Sequence, residues 1–311
     1  MSAFGLFNVH KPAGVTSRRA VDRIKKLVRR AKLGHAGTLD PLAEGVLVIA
    51  IGQATRLVPR IQEMSKQYRG RFRLGFSSAT DDIESDLVPC PDAADVSADE
   101  IRAVLPEFVG SIRQVPPNYS AVHVGGRRAY KLARKGVEIE LEPKTIEIHR
   151  LELVSCDGDE MELLIDCGSG TYVRSLGRDI GQRLGTAAVM TALTREAIGS
   201  FTLADATPLE EMTSTTWKQH LLPAVRAVAD WPTYTCAAEE IEEIRRGRPV
   251  AMRETDWSDQ QRIALLTPTG ELAALGVALA AESILKPMSV FLRQPGSTPQ
   301  AQQGRDRPRN S

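Results

Sequence analysis

The chain has 311 residues, 42% of them hydrophobic and 25% charged, which is ordinary globular composition with room for one large domain and one small one; no run is long and apolar enough to cross a bilayer. Its four cysteines (Cys90, Cys156, Cys167, Cys236) form no C-x-x-C pair and its five histidines are scattered, which argues against a zinc site or a disulfide framework and for buried free thiols. The net charge of +1 does not exclude a nucleic-acid partner, because residues 1–60 carry eleven Lys/Arg against Asp22, Asp40 and Glu44, while residues 81–107 carry nine Asp/Glu.

Residues 1–9 lack the basic-then-apolar pattern of a secretory leader, so a cytoplasmic location is expected. Residues 4–9 read as a strand and 11–14 as a turn. Ser17 is placed to cap a helix running to about Ala31, with Val21, Ile24, Leu27, Val28 and Ala31 as its buried stripe and Arg and Lys elsewhere. The segment 34–47 follows. It holds Gly34, Gly37 and Gly45, so its backbone turns tightly, and it runs into an apolar strand over 46–51. Asp40 directly precedes Pro41, which pushes it out of the helical region and leaves its carboxylate projecting from a loop.

Residues 53–63 carry a helical pattern. Residues 68–76 alternate, with Tyr68, Gly70, Phe72, Leu74 and Phe76 on one face and Arg69, Arg71 and Arg73 on a basic outer face. An acidic loop over 77–91 leads to a helix over 98–108. Residues 113–136 hold six Lys/Arg, no acid, and the rings of Tyr119 and Tyr130, a combination suited to RNA. Alternation over 141–166 predicts a hairpin turning at Asp157-Gly158-Asp159. Tyr172-Val173-Arg174 opens a helix that closes at Gly185. Trp231-Pro232 marks a boundary, after which come a helix over 237–246, strands near 250, 263–266 and 272–280, and a Pro/Gly/Gln/Ser-rich tail over 294–311.

The run Gly34-His35-Ala36-Gly37-Thr38-Leu39-Asp40-Pro41-Leu42-Ala43-Glu44-Gly45-Val46-Leu47 closely resembles the active-site motif of the TruB family, the tRNA pseudouridine-55 synthases. The likeness extends to Lys11-Pro12-Ala13-Gly14-Val15-Thr16-Ser17, Lys66-Gln67-Tyr68-Arg69, residues 115–121 and Gly170-Thr171-Tyr172-Val173-Arg174-Ser175-Leu176. It implies an α+β chain with the pseudouridine synthase fold: a central mixed, largely antiparallel sheet flanked by helices in residues 1–232, with an RNA-gripping insert at about 111–145. A small PUA-like β-barrel over 233–293, resembled more loosely, and a disordered tail over 294–311 would complete it.

The resemblance also implies a cofactor-free isomerisation of uridine in the TΨC stem-loop of tRNA, by a monomer with no obligatory protein partner. Asp40, Tyr68 and Arg174 take the catalytic roles: Asp40 stabilises or bonds the cationic sugar carbon, Arg174 orients Asp40, and Tyr68 stacks on the flipped uracil. His35, Tyr172 and Lys11 are assigned to substrate binding, His35 as the residue that fills the gap left by the flipped base. One departure stands out. The family word has an acid where this chain has Ala79, while Asp82 falls at its later acidic position. Three other readings compete: a guide-RNA-dependent relative of the same chemistry, a non-catalytic tRNA-binding or folding module and, remotely, a glycoside hydrolase using two carboxylates.

Overall fold

The computed structural model describes residues 3–28, 31–91, 93, 95–119, 141–253 and 256–292, with backbone alone at 123–124 and 127–128. The chain divides into two compact units, Met1–Leu222 and Pro223–Ser311, a division that falls ahead of Trp231-Pro232.

The strands of the first unit are β1 (Gly5–Lys11), β2 (Leu33–His35), β3 (Glu44–Ile51), β4 (Lys66–Leu74), β5 (Phe76–Ser77), β6 (Val88–Pro89) and β7 (Gly110–Gln114). They continue with β8 (His123–Val124), β9 (Arg127–Arg128), β10 (Lys144–Asp157), β11 (Glu160–Cys167), β12 (Ala188–Ile198), β13 (Phe201–Thr202) and β14 (Thr207–Pro208). Ten of them form one sheet in the order β14-β1-β3-β12-β4-β11-β10-β7, with β2 on β3 and β13 on β12. Only β1/β14 and β3/β12 run parallel, so the sheet is mixed and largely antiparallel.

Its helices among the described residues are α1 (Ser17–Val28), α2 (Val58–Glu63), α3 (Ala98–Val104) and α4 (Val173–Arg183). One apolar cluster joins α3 and α4 to β4, β10, β11 and β12 through residues such as Phe72, Ile101, Ile165, Leu176 and Ile180. A second joins α1 to β1 and β3 through Ile24, Phe7 and Ile49. Helix α4 lies close on the sheet because Gly177 faces the Phe72 ring, where a Cβ would come within 2.2 Å.

Several sequence expectations shift in detail. The segment expected to be one helix over 53–63 is a 3-10 turn (Gly52–Leu57) followed by α2, with Pro59, which has no N–H to give, in α2's first turn. The helix over 98–108 likewise passes into a 3-10 turn at Leu105–Phe108, where Pro106 sits. The cap of α1 is Thr16, whose Oγ1 accepts from the Arg19 N–H at 3.1 Å. Ser17 is thereby released for the loop contact described below. The basic outer face of β4 is neutralised: Arg69 and Arg71 pair with Glu162, Arg69 also with Glu196, and Arg73 with Asp159. The hairpin over β10 and β11 turns at Gly158, φ +58°.

The second unit is a five-stranded sheet of β15 (Thr233–Thr235), β16 (Val250–Ala251), β17 (Arg262–Leu266), β18 (Leu272–Leu279) and β19 (Ile284–Val290), in the order β15-β17-β18-β19-β16. Helix α5 (Ala238–Arg245) adds Ile244 to its core of Tyr234, Ile263, Leu265 and Leu285. No helix among the described residues is long and apolar enough to cross a membrane.

Candidate active site

The loop between β2 and β3 is held from below at several points. Ser17 Oγ donates to the Leu39 carbonyl at 2.9 Å and accepts from the Leu39 N–H at 2.8 Å. The Gly14 N–H donates to the Pro41 carbonyl at 2.8 Å. The Lys11 ammonium, fully buried, donates to the carbonyls of Pro12 (2.9 Å), Val15 (2.6 Å) and Ala43 (2.5 Å). Leu39 and Ala43 anchor the loop in the core. Gly45, at φ +106°, lets the chain enter β3 directly against the Arg195 backbone, which a Cβ would meet at 2.3 Å. Between these fixed points the Asp40 side chain stays 38% exposed. The carboxylate is thus presented by a rigid loop rather than packed.

Arg174, in the first turn of α4, meets it. Its Nε lies 3.1 Å from Asp40 Oδ2, and its Nη1 lies 3.5 Å from Asp82 Oδ2. Nη1 also donates to the Thr80 carbonyl at 2.7 Å and Nη2 to the Tyr119 carbonyl at 3.2 Å. The Arg174 side chain is 8% exposed and that of Asp82 1%. Asp82 is itself fixed, its Oδ1 accepting from Thr80 Oγ1 at 2.5 Å and from the Glu84 N–H at 2.9 Å. One guanidinium therefore serves two carboxylates, and the rigid fork of its donors fixes the angle at which Asp40 is held. The start of α4 is clamped in turn by the buried amide of Gln114, which donates to the Tyr172 carbonyl (3.1 Å) and accepts from the Tyr172 N–H (2.8 Å).

Asp40, Arg174 and Tyr119 stand where two clefts meet. One, of about 370 Å³, is lined also by Lys66, Tyr68, Tyr172, Leu193 and Arg195. The other, of about 400 Å³, is lined also by Thr80, Asp82, Glu84 and Ser85. Both volumes suit a nucleotide-sized group. Tyr68 forms a wall of the first. Burial pushes its phenol up from the usual tyrosine range, against the opposing pull of the nearby Arg195 guanidinium. Burial pushes Lys66 down to about 8. Among the described residues no group of three or more His, Cys, Asp or Glu side chains is placed to hold a metal ion. What the arrangement offers is one oriented carboxylate at the side of a cleft with an aromatic wall and a cationic floor.

The family model described as TruB family pseudouridylate synthase (N terminal domain) matches residues 25–173. The tRNA pseudouridine synthase B of Dinoroseobacter shibae is 39% identical over 292 residues, covering 92% of this chain and 95% of that protein. The chain belongs to the TruB family. The tRNA pseudouridine synthase B of Syntrophomonas wolfei is 36% identical, over 92% of this chain and 98% of that protein. Among solved structures, an H/ACA RNP bound to a substrate RNA containing 2′-deoxyuridine aligns with a TM-score of 0.72 and 26% identity, over 93% of this chain and 86% of that one. The architecture of this TruB family member is thus the pseudouridine synthase fold.

Of the six residues singled out in the sequence, Asp40, Tyr68, Arg174 and Tyr172 line one cleft. Lys11 and His35 are not among its lining residues. Lys11 lies beneath the Asp40 loop with its three N–H groups spent on carbonyls, and burial pushes its ammonium down to about 8. It positions the loop instead of presenting a charge to substrate. His35 sits on β2 opposite Ile49, half-buried, its imidazole pushed down chiefly by burial. Residues 120–122, 125–126 and 129–140 of the expected RNA-gripping insert lie outside the described residues, as does the tail.

Sequence reasoning missed Arg195. It is 1% exposed and donates from Nε to the Val46 carbonyl (2.7 Å) and from Nη2 to the Gly37 carbonyl (3.2 Å), tying β12 to both ends of the Asp40 loop. The available signal was a charged residue closing the mostly apolar run 188–194, which is the mark of a buried, hydrogen-bonded cation inside a central strand. The sequence also assigns Asp82, beside Ala79, no role. The structure makes Asp82 the second carboxylate on Arg174.

Proposed function

We propose that this TruB family enzyme converts uridine to pseudouridine at position 55 in the TΨC loop of tRNA, acting as a monomer without a guide RNA. The observation that carries the reading is Asp40 held 3.1 Å from the buried Arg174 at the side of a cleft walled by Tyr68. The target uridine flips out of the loop and enters the cleft, with its base against the Tyr68 ring. The C1′–N1 bond breaks and its electron pair leaves with uracil. The Asp40 carboxylate stabilises the cationic C1′ or bonds to it. The uracil turns, C5 bonds to C1′, the C5 proton departs and N1 takes one up, so the whole is an isomerisation that consumes nothing. Burial keeps the Tyr68 phenol protonated at neutral pH, so Tyr68 offers the base its ring face and its O–H.

Binding rests on the basic side of α1 and on the 111–145 segment, with the second unit, an RNA-binding PUA-like domain, adding affinity. Absence of a guide is supported by the named relatives, tRNA pseudouridine synthase B proteins that match over 92% of this chain. A guide-dependent reading draws on the likeness to the H/ACA RNP structure. One experiment separates the two: mapping pseudouridine in unmodified tRNA after incubation with the purified protein alone. Product at position 55 supports the reading. Product only when a guide RNA is added, or none, overturns it.

A further inference from the structure

We propose that Lys66 is a catalytic residue of this cleft, its ammonium holding the negative charge that uracil carries while it is detached from the ribose. The inference rests on the pseudouridine-forming reading above. Heterolysis of C1′–N1 creates two charges. Asp40 answers the positive one at C1′. The electron pair left on uracil, spread over O2 and O4, requires a partner of the opposite sign on another wall of the same cleft.

Lys66 stands in that place. It lines the cleft together with Asp40 and is 8% exposed. On β4 it lies two residues before Tyr68, so both side chains leave the same face of the sheet. Arg195 is directly opposite Tyr68 on β12 and Cys167 directly opposite Lys66 on β11, so all four share that face. The ammonium donates one hydrogen bond, to the Gln62 carbonyl at the end of α2, out of three N–H groups.

No carboxylate among the described residues pairs with it. The Cys167 thiol beside it is pushed up to about 11 by burial and stays neutral, and Arg195 adds a second positive charge nearby. Lys11 makes the contrast, because its three donors are all spent on carbonyls. A buried cation without a counter-ion costs stability, and it is retained here where a transient anion forms. Burial pushes Lys66 down to about 8, which still leaves it mostly protonated at neutral pH. Lys66 keeps its proton throughout and forms no covalent bond to substrate.

The test uses tRNA carrying either uridine or 5-fluorouridine at the target position, with loss of the N-linked nucleotide followed under single-turnover conditions. Fluorine withdraws electrons and stabilises the departing anion without help from the protein. Lys66→Met is expected to slow the uridine substrate about 100-fold, the loss typical of removing one charge-stabilising donor. It is expected to slow the 5-fluorouridine substrate about tenfold or less, and Lys66→Arg is expected to recover most of the rate on uridine. Equal losses on both substrates would mean that Lys66 only braces α2 through Gln62, and near-normal rates would mean that it does nothing; either overturns the proposal. If Lys66→Met lacks the parent's circular dichroism and melting transition, Lys66→Gln is carried through the same pair of substrates. Failure of the unaltered enzyme to convert uridine in tRNA would instead overturn the reading of function itself.

Discussion

In the first unit an outer set of three arginines and an inner set of one, Arg174, all pair with carboxylates but in opposite settings. On the outer face of β4, Arg69, Arg71 and Arg73 pair with Glu162, Glu196 and Asp159 at 2.6–2.9 Å, and their side chains are 39–61% exposed. Behind the Asp40 loop, Arg174 pairs with Asp40 and Asp82 at the longer distances of 3.1 and 3.5 Å, yet is 8% exposed. Distance alone would rank the outer pairs as stronger. Water and salt screen those pairs, and each long side chain loses entropy on being held, so their net worth is small. Arg174 is shielded from water and also bonded to two backbone carbonyls, so it cannot relax when a partner changes. The outer set therefore decorates the sheet, and the inner one fixes the angle at which the Asp40 carboxylate is held.

The largest effect that contrast predicts is at the inner pair's exposed end. Asp40→Asn is expected to abolish turnover, because an amide brings no charge to a cationic sugar carbon and is a poor nucleophile. The fold should survive, since the loop is held by Lys11, Ser17 and Gly14 and not by the Asp40 side chain; a stability change of about 1 kcal/mol or less is expected. tRNA titration and single-turnover pseudouridine formation check this together. Conversion at the parent rate would remove Asp40 from the mechanism, and affinity lost along with activity would make it structural.

Arg174→Lys comes next, with a fall in kcat of about 100-fold although charge is retained. An ammonium is a point charge that cannot span Asp40, Asp82 and the carbonyls of Thr80 and Tyr119 at once. The expected signature is a loss in kcat with KM nearly unchanged, which is the mark of an interaction felt in the transition state. An unchanged kcat would place Arg174 with the outer set.

The inner set was only partly legible in the sequence, for a physical reason. Asp40 stood out because its neighbours are local: a following proline and flanking glycines dictate the loop. Arg174 and Tyr68 were found through their motif words, but their contacts were not. Arg174 reaches Thr80 across 94 residues, Arg195 reaches Gly37 across 158, and Gln114 reaches Tyr172 across 58. Such pairs are set by strand order and register. The parallel placement of β12 beside β3, which brings Arg195 against Gly45, has no local signature. Lys11 shows the opposite failure, since a lysine in a conspicuous motif reads as a substrate contact until its burial is known. On β4 the alternation was visible, but not that acids on β11, on β12 and in the turn between β10 and β11 would neutralise its basic face.

A smaller effect is expected at the buried end of the inner pair. Asp82→Asn keeps size and the acceptor that holds Thr80 Oγ1 and the Glu84 N–H, but removes one of the two negative charges on Arg174. Arg174 then draws harder on Asp40 and leaves its carboxylate less available to the sugar. About a tenfold fall in kcat is expected, with stability lower by about 2 kcal/mol, less than the cost of orphaning a buried ion because Asp40 remains as partner. Rates and thermal melting measured on the same preparation check both parts, and a variant as active as the parent would make Asp82 a packing residue.

The smallest effect should come from the outer set, and it tests whether the contrast holds. Arg73→Gln deletes the 2.7 Å pair with Asp159 and the position of Arg73 over the Phe76 ring, 4.2 Å from guanidinium carbon to centroid. Arg73 is 41% exposed and Asp159 50%, so Asp159 is left in water and not buried alone. The expected loss is about 1 kcal/mol or less, because an exposed pair returns to solvent most of what it gained. Turnover should stay within about twofold of the parent. The salt dependence of tRNA affinity should also be unchanged, because a guanidinium already satisfied by a carboxylate has little to give a phosphate. Denaturant melts, kcat and the slope of log Kd against log salt read the three terms separately. A shallower salt slope in Arg73→Gln would show that tRNA displaces Asp159 and recruits this face. The outer arginines would then be a latent binding surface, and the division between the two sets would fail.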